Sequence, residues 1–213
     1  MKTNVYIDGF NFYYGCFKNE TAYRAYKWLD LRALSQAILP NDQIHRIHYF
    51  TAMVAAVPWD PTQPLRQELY IRALRTIPLL YVQLGKFQPV IRRGMPCNVP
   101  VGTVPHPERF STWEEKGSDV NLATRLLMDA LDSDYEQALV ISNDSDLAEP
   151  VRMVKQKFKL PIVVVSPYPT LTIKLQRASS SWSVLDKSLL AACQLPGTVT
   201  DKKGKDIRKP TSW

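Results

Sequence analysis

The stretch VISNDSDL at residues 140–147 decides the fold, because an apolar run of β type ends there abruptly in amides and carboxylates. The chain begins with the same design, since YIDGFN at residues 6–11 passes from apolar residues to an aspartate, a glycine and an asparagine. Between them, EEKGSD at residues 114–119 leads into a strongly apolar helical segment. In an open parallel α/β sheet, strand ends and the starts of the following helices lie on one rim. The sequence therefore predicts that acids far apart in the chain meet in one pocket.

Five candidate strands are nearly continuous apolar runs, which is typical of strands that are covered on both faces. They lie at residues 4–7, 47–52, 79–84, 138–142 and 161–166. Helical patterns alternate with them, at residues 31–39, 64–77, 119–131, 151–158 and 185–192. This alternation predicts an α/β fold with a doubly wound parallel sheet and right-handed crossovers.

The length of 213 residues and a hydrophobic content of 45% fit a single domain with a real core. We assign residues 1–196 to this domain. Residues 88–117 contain five prolines and little periodicity, which predicts a mobile insertion or lid within it. Residues 197–213 are polar and basic, which predicts an unstructured tail.

Composition narrows the class of protein. No uninterrupted apolar run approaches the roughly 18 residues that a membrane-spanning helix needs, and the first residues lack a signal-peptide pattern. The three cysteines are odd in number and widely spaced, which argues against a disulfide framework or a zinc site and favours the reducing cytoplasm. The net charge of +7 suits attraction of a polyanion, although it also suits solubility alone.

Each acid of the three stretches also has a purely structural explanation. Asp8 precedes a glycine directly after a strand, where a simple turn is common. Asp119 begins a helix, where the dipole favours an acid, but apolar residues three, four and seven positions later place it on the inward face. Either Ser142 or Asp144 could cap the next turn, and Asp146 lies just beyond. The joint case is stronger, because the predicted fold brings all three sites to one edge.

Carboxylates gathered in this way need a counter-charge. Two of them about 5 Å apart repel by roughly 3 kcal/mol at an effective dielectric constant near 20. A site made only of oxygen ligands favours Mg²⁺ or Mn²⁺ over zinc. The three histidines, His45, His48 and His106, lie outside every one of these stretches, which disfavours acid–base chemistry by histidine.

The stretches DGFN from residue 8, EKGSDVNLA from residue 115 and SNDSDL from residue 142 together resemble the NYN domain of LabA-like proteins, which belongs to the PIN-like nucleases. The resemblance runs in order from about residue 3 to residue 195. It implies a three-layer α/β/α sandwich with a central, mainly parallel sheet. It also implies a set of site residues: metal-binding and catalytic Asp8, Asp119, Asp144 and Asp146, with Asn11 beside them and Ser142 and Asn143 at the rim of the site. Asp146 is preferred as the fourth acid over Glu115 or Glu149.

The chemistry that the resemblance implies is hydrolysis of RNA phosphodiester bonds, with Mg²⁺ or Mn²⁺ activating a water molecule. The RNA is single-stranded or structured. Basic residues around the insertion are candidates for binding its backbone, namely Lys116, Lys86, Arg92, Arg93 and Arg109. Phe87, Phe110 and Trp113 are available for stacking on bases. All of these residues are also ordinary for a protein surface.

Two other functions stay open at this point. A catalytically inactive RNA-binding or regulatory scaffold could share the fold, although a dead site has no physical reason to keep mutually repelling acids. A nucleotide-binding or phosphatase-type protein would need a glycine-rich phosphate loop, and the stretch after the first strand supplies one glycine among bulky aromatics. A homodimer is compatible with every one of these functions.

Overall fold

A computed structural model describes residues 1–18, 20–100, 102 and 104–213. In these residues the central element is a six-stranded sheet in the order β3-β2-β1-β6-β7-β8, and every neighbouring pair in it is parallel. Its strands are β1 (Lys2–Asp8), β2 (Gln43–Thr51), β3 (Leu80–Leu84), β6 (Gln137–Ile141), β7 (Ile162–Ser166) and β8 (Ser181–Val184). The predicted α/β fold with a parallel sheet is confirmed.

Helices cover both faces of this sheet, which makes a three-layer sandwich. They are α1 (Gly9–Tyr13), α2 (Leu31–Ile38), α3 (Gln63–Leu74), α4 (Ser118–Leu131), α5 (Ala148–Met153), α6 (Ile173–Ala178) and α7 (Ser188–Ala192). One core packs α2, α3 and α7 against side chains such as Ile7 and Ile47. The other packs α4, α5 and α6 against side chains such as Tyr6 and Val140. Alternate residues of β1 thus enter opposite cores, as the period of a strand requires.

The strand order reverses its direction of growth between β1 and β6. Crossovers on one side of this point lead to β2 and β3, and those on the other lead to β7 and β8. In open α/β sheets, the crevice outside the carboxyl ends at such a switch point is the usual place for a ligand. Ile7 pairs with Ile141, so Asp8 and Ser142 come next, side by side at this crevice.

The edge strand β8 was not predicted from sequence. Its four residues are Ser-Trp-Ser-Val, and all are exposed. A strand at the edge of a sheet lacks the continuous apolar character of the buried central strands, so the pattern that finds β1 and β6 does not apply to it.

The proline-rich insertion contains regular structure at both of its ends. Its two ends form an antiparallel hairpin of β4 (Lys86–Gly94) and β5 (Glu108–Lys116), in register from Lys86 opposite Lys116 to Gly94 opposite Glu108. Pro89 lies within β4 opposite Trp113, which a two-stranded ribbon tolerates because one edge of each strand is free. Because proline is common in loops, the prolines of this segment indicated a loop, and its two strands were not predicted from sequence.

The basic segment 197–213 is also ordered, contrary to the predicted unstructured tail. It forms a second hairpin of β9 (Thr198–Thr200) and β10 (Asp206–Arg208). Ile207 is buried in the core, and the Trp213 ring packs against those of Trp28 and Tyr70, with centroids 6.4 and 5.7 Å away. Two apolar anchors within a polar segment are enough to hold it on the domain. Within the described residues, none of the helices combines the length and apolar character needed to cross a membrane.

Candidate metal centre at the switch point

Three carboxylates meet at the switch point of the sheet. One oxygen from each of Asp8, Asp119 and Asp144 lies within 4.8 Å of the others. Asp8 ends β1, Asp119 is in the first turn of α4, and Asp144 is in the loop after β6. The three acids predicted from distant stretches of sequence are therefore brought together.

Asp8 is held by hydrogen bonds to both of its oxygens. It caps α1, where its Oδ1 accepts from the Asn11 backbone N–H at 3.0 Å, and its Oδ2 accepts from the Ser142 hydroxyl at 2.9 Å. Its residue is only 3% exposed. Burial raises the pKa of Asp8 to about 7, and the neighbouring acids Asp119 and Asp144 add to the rise, whereas the two hydrogen bonds oppose it.

The loop after β6 is organised around the same serine. The Ser142 Oγ that donates to Asp8 also accepts from the Asp144 backbone N–H at 3.1 Å. Asp144 in turn caps a single 3₁₀ turn, Ser145–Leu147, through its Oδ1 and the Asp146 backbone N–H, 2.9 Å apart. Ser142 thus ties two acids of the centre together, which gives it a positioning role at the predicted rim.

Asn11 and Asn143 hold the backbone of these loops in place. The Asn11 Oδ1 accepts from the Asn143 backbone N–H at 2.9 Å, and the Asn143 Oδ1 accepts from the Thr172 backbone N–H at 2.7 Å. This chain of amides links α1, the loop after β6 and the start of α6. Both predicted residues lie at the site, and their side-chain oxygens are engaged with the protein backbone.

Asp119 is placed by the geometry of the turn before α4. Gly117 has a φ of +97°, a left-handed conformation that glycine adopts without strain, and the Ser118 N–H donates to Glu115 Oε1 at 2.9 Å. A side chain at Gly85 would collide with that same Glu115 oxygen, so the β3–β4 turn closely approaches the start of α4. Burial raises the pKa of Asp119 to about 6, and the charges of Asp144, Glu115 and Asp146 add to the rise.

Asp146, the predicted fourth acid, is exposed and does not belong to the set of three whose oxygens lie within 4.8 Å of one another. Its carboxylate is still close enough to raise the pKa of Asp119. Asp146 therefore lies beside the centre, on its solvent side.

The donor set suits a divalent cation. Carboxylates about 4.8 Å apart repel by roughly 3 kcal/mol per pair at an effective dielectric constant near 20. Burial is the main cause of the raised pKa values of Asp8 and Asp119, and this repulsion adds to the rise. Oxygen ligands of this kind are those that Mg²⁺ and Mn²⁺ prefer.

The basic residues predicted to bind RNA have different surroundings. Lys116 Nζ lies 2.8 Å from Glu114, and Arg92 also forms an ion pair with Glu114, so these two charges are already partnered. Lys86 and Arg93 are exposed on the β4–β5 hairpin. The hairpin therefore offers fewer unpaired cations than its sequence suggests.

Two of the predicted stacking residues are also engaged. The Phe87 ring stacks with Phe10 at 6.0 Å and with Trp113 at 5.5 Å, with interplanar angles of 11° and 7°. This aromatic column joins the hairpin to α1, directly after Asp8. The Phe87 ring is thus used to hold the hairpin over the site.

A pocket of about 230 Å³ next to α1 was missed from sequence. We call it the aromatic pocket, and its lining includes Phe10, Phe12, Tyr13, Phe17, Tyr49, Tyr70, Phe87 and Trp213, with Lys18, Lys27 and Arg66. The run FNFYYGCF at residues 10–17 was its available signal. That run was interpreted only as an obstacle to a phosphate loop.

A basic groove between α5 and α6 was missed as well. We call it the α5–α6 groove; it includes Asp146 and four basic residues, Arg152, Lys155, Lys174 and Arg177. Arg152 is on α5, Lys155 is on the π-helical turn Val154–Phe158 that continues it, and the other two are on α6. Because these segments are separate in sequence, no local charge run indicates the groove. The groove begins beside the carboxylate centre.

Comparisons with known proteins agree with this architecture. The chain matches the NYN domain over residues 2–186. It is 29% identical, over an alignment of 244 positions including gaps, to 6-hydroxy-3-succinoylpyridine 3-monooxygenase HspA of Pseudomonas putida (strain DSM 28022 / S16), covering 100% of this chain and 75% of that protein. A solved structure of a protein of unknown function from Vibrio parahaemolyticus RIMD 2210633 superposes with a TM-score of 0.54 at 17% identity, over 87% of this chain and 93% of that one, which shows a shared fold. Since the family match spans nearly the whole chain, the protein belongs to the NYN domain family.

Proposed function

We propose that this protein is a divalent-metal-dependent ribonuclease that hydrolyses RNA phosphodiester bonds. The observation that carries the proposal is the convergence of Asp8, Asp119 and Asp144, from three separate segments, to within 4.8 Å. The NYN domain is a family of the PIN-like nuclease type, which agrees with such a centre.

The roles of the residues follow from their surroundings. Asp8, Asp119 and Asp144 would hold the cation, Mg²⁺ or Mn²⁺, and Asp146 adds negative charge on the solvent side. When bound, the cation supplies a water of lowered pKa and offsets the charge that grows on the phosphate. Ser142 keeps the oxygens of Asp8 oriented and ties them to the Asp144 backbone. Asn11 and Asn143 fix the loops from which the acids project.

Two sets of exposed cations are available to the RNA backbone. The α5–α6 groove offers Lys174 and Arg177 next to Asp146. The hairpin adds the exposed Lys86 and Arg93. Such cations bind the phosphates of any sequence, with a strong dependence on salt. We therefore expect binding of single-stranded or structured RNA with little base specificity from these residues.

The test is cleavage of labelled single-stranded RNA with and without Mn²⁺. Asp119→Asn and Asp144→Asn should each reduce the rate at least about 100-fold, equivalent to roughly 2.7 kcal/mol in the barrier. Asp132→Asn, at the exposed end of α4, is the matched control and should keep the wild-type rate. Cleavage that persists without metal, or in both variants, would contradict the proposal.

An inactive RNA-binding scaffold remains the alternative from a different class. It predicts RNA binding without cleavage, and the same binding in Asp119→Asn and Asp144→Asn. Measuring binding and cleavage on the same RNA separates the two functions.

The named relative supports a second candidate, a metal-dependent reaction on a small aromatic compound. That relative is named as a monooxygenase of a succinoylpyridine. The specific observation in its favour is the aromatic pocket next to α1, whose first residues follow Asp8 directly. Incubation with 6-hydroxy-3-succinoylpyridine in air with a two-electron reductant, followed by chromatography, tests it. Recovery of unchanged 6-hydroxy-3-succinoylpyridine in the presence of Mn²⁺ or Mg²⁺ would reject this second candidate.

We further propose a cytoplasmic location and leave a homodimer as a prediction. The described structure has its three cysteines free, with Cys16 and Cys193 buried and Cys97 exposed, which suits a reducing compartment. Light scattering of the purified protein would give the oligomeric state.

A further inference from the structure

The aromatic pocket has the composition of a ligand site. Rings from α1, β2, α3 and the hairpin line it, and its volume is about 230 Å³. This is below the roughly 300–1,000 Å³ of pockets that take drug-sized ligands, so it suits a single ring. A planar ring gains most from such a lining, because it can stack on aromatic faces.

Its charged residues give the pocket a net positive charge. Lys18, Lys27 and Arg66 lie on the lining against a single acid, Asp60, which Arg66 already pairs with. Lys27 forms no ion pair among the described residues, and its Nζ lies over the rings of Tyr13 and Trp213, at 5.7 and 5.9 Å from their centroids.

Lys27 is the cation best placed to meet an anionic group. Partial burial lowers its pKa, and the positive charges of Arg66 and Arg24 lower it further. An anion bound beside Lys27 would relieve this repulsion. The Lys27 ammonium also lies over the same rings that would contact an aromatic ligand.

The pocket is joined to the carboxylate centre through the chain itself. Asp8 is followed by Gly9 and Phe10, both of which line the pocket. Gly9 has to be a glycine, since a Cβ there would lie 2.6 Å from the Phe50 carbonyl oxygen and 2.8 Å from the Tyr49 ring. The pocket and the carboxylate centre therefore meet at the start of α1.

We propose that the aromatic pocket binds a single-ring aromatic anion, with the ring among the aromatic side chains and the negative group at Lys27. Two sources carry this chemistry: a pyrimidine nucleotide of an RNA and a free aromatic acid. Only the first of these rests on the proposed ribonuclease activity.

Calorimetry on the full chain in the absence of divalent metal tests the proposal. The probes are uridine 5′-monophosphate, pyridine-3-carboxylate and uncharged uridine. At least one of the two anions should bind with a Kd below 1 mM. Lys27→Met should weaken that binding about tenfold and leave the affinity for uridine unchanged. Tyr13→Leu should weaken the binding of both the anion and uridine.

The controls separate this site from the metal centre. Lys157→Met, which removes an exposed cation on another face, should bind both anions as the wild type does. Asp144→Asn should also retain binding of both anions. Failure of the proposed cleavage and failure of the proposed anion binding are therefore distinguishable. Tighter binding of the nucleotide identifies RNA as the source, and tighter binding of the pyridine acid identifies a free metabolite. Binding of neither anion below 1 mM, or the same affinity in Lys27→Met, would overturn the proposal.

Discussion

Helix α4 carries an acid near each end, and the two have opposite surroundings. Asp129, near its C-terminal end, is 1% exposed and accepts from the Tyr6 hydroxyl at 2.8 Å, while Arg125 lies 2.8 Å away. Asp119, in the first turn, is surrounded by other acids instead, and its pKa is raised to about 6 by burial and then by Asp144. An acid neutralised within the protein stabilises the fold. An acid that meets only acids requires a cation from outside.

The charge of Asp129 is balanced by residues of the protein itself. His48 lies 3.5 Å from Asp129 and stacks on the Tyr6 ring, with centroids 5.4 Å apart. Burial lowers the pKa of His48 to about 4, so the imidazole is neutral at physiological pH and Arg125 supplies the positive charge. The negative charge of Asp129 is therefore balanced within the protein, which is why we assign the cluster a structural role.

Loss of Asp129 should produce the largest change in stability. Asp129→Asn removes the negative charge that Arg125 and the Tyr6 hydroxyl depend on, at a cost of about 3 kcal/mol. Urea denaturation would show a lower midpoint with an unchanged slope. A midpoint within error of the wild type would show that the cluster does not stabilise the fold.

Added cation should stabilise the protein through the other end of the helix. At 100 times its Kd, a bound ion adds about 2.7 kcal/mol to the free energy of unfolding. Thermal melts with Mn²⁺ should rise for the wild type and for Asp129→Asn, and stay flat for Asp144→Asn. An equal rise in Asp144→Asn would place the ion elsewhere.

Removal of one acid should stabilise the metal-free protein. Asp119→Asn relieves its repulsion with Asp8 and Asp144, and we expect a gain of about 1 kcal/mol at pH 8, or roughly 2–4 °C in Tm. The change has the opposite sign to that of Asp129→Asn. Melts in the presence of a chelator check it, with Asp132→Asn as the neutral control, and a lower Tm for Asp119→Asn would contradict the account.

Protonation of the two acids should make the stability and the metal affinity depend on pH. The pKa values of Asp8 and Asp119 are raised to about 7 and 6, so the folded protein holds protons that the unfolded chain has released. The metal-free protein should therefore lose stability as pH rises from about 4 to 7. Affinity for Mn²⁺ should change in the opposite direction, rising up to about pH 7 and flattening above it, because the protons leave before the ion binds. Calorimetry between pH 5 and 8 measures this, and an affinity independent of pH would show that neither acid is a ligand.

The carboxylate centre could be predicted from sequence because one simple rule of parallel α/β sheets places its acids. Strands with continuous apolar character are recognisable, and the residues directly after such strands lie at one rim, so Asp8 and Asp144 could be brought together without coordinates. Hydrogen bonds between side chains and distant backbone have no such rule. The contact from Asn11 to the Asn143 N–H spans 132 residues, and no local pattern announces it.

Other features were hidden because their local composition points to a different structure. The hairpin strand β4 contains Pro89, which indicates a loop, and β8 is too polar to resemble a buried strand. The segment 197–213 is basic, yet Ile207 and Trp213 hold it on the core. The aromatic pocket needs rings from α1, β2, α3 and the hairpin, so only the assembled fold shows it.

The central claim is that one divalent cation is bound between Asp8, Asp119 and Asp144. A crystal soaked in Mn²⁺ and measured near the manganese absorption edge tests it directly, with an Asp144→Asn crystal treated alike. The account predicts an anomalous peak within bonding distance of oxygens from all three aspartates, and its loss in the variant. A fully soaked crystal with no peak there, or with a peak unchanged in Asp144→Asn, would contradict it.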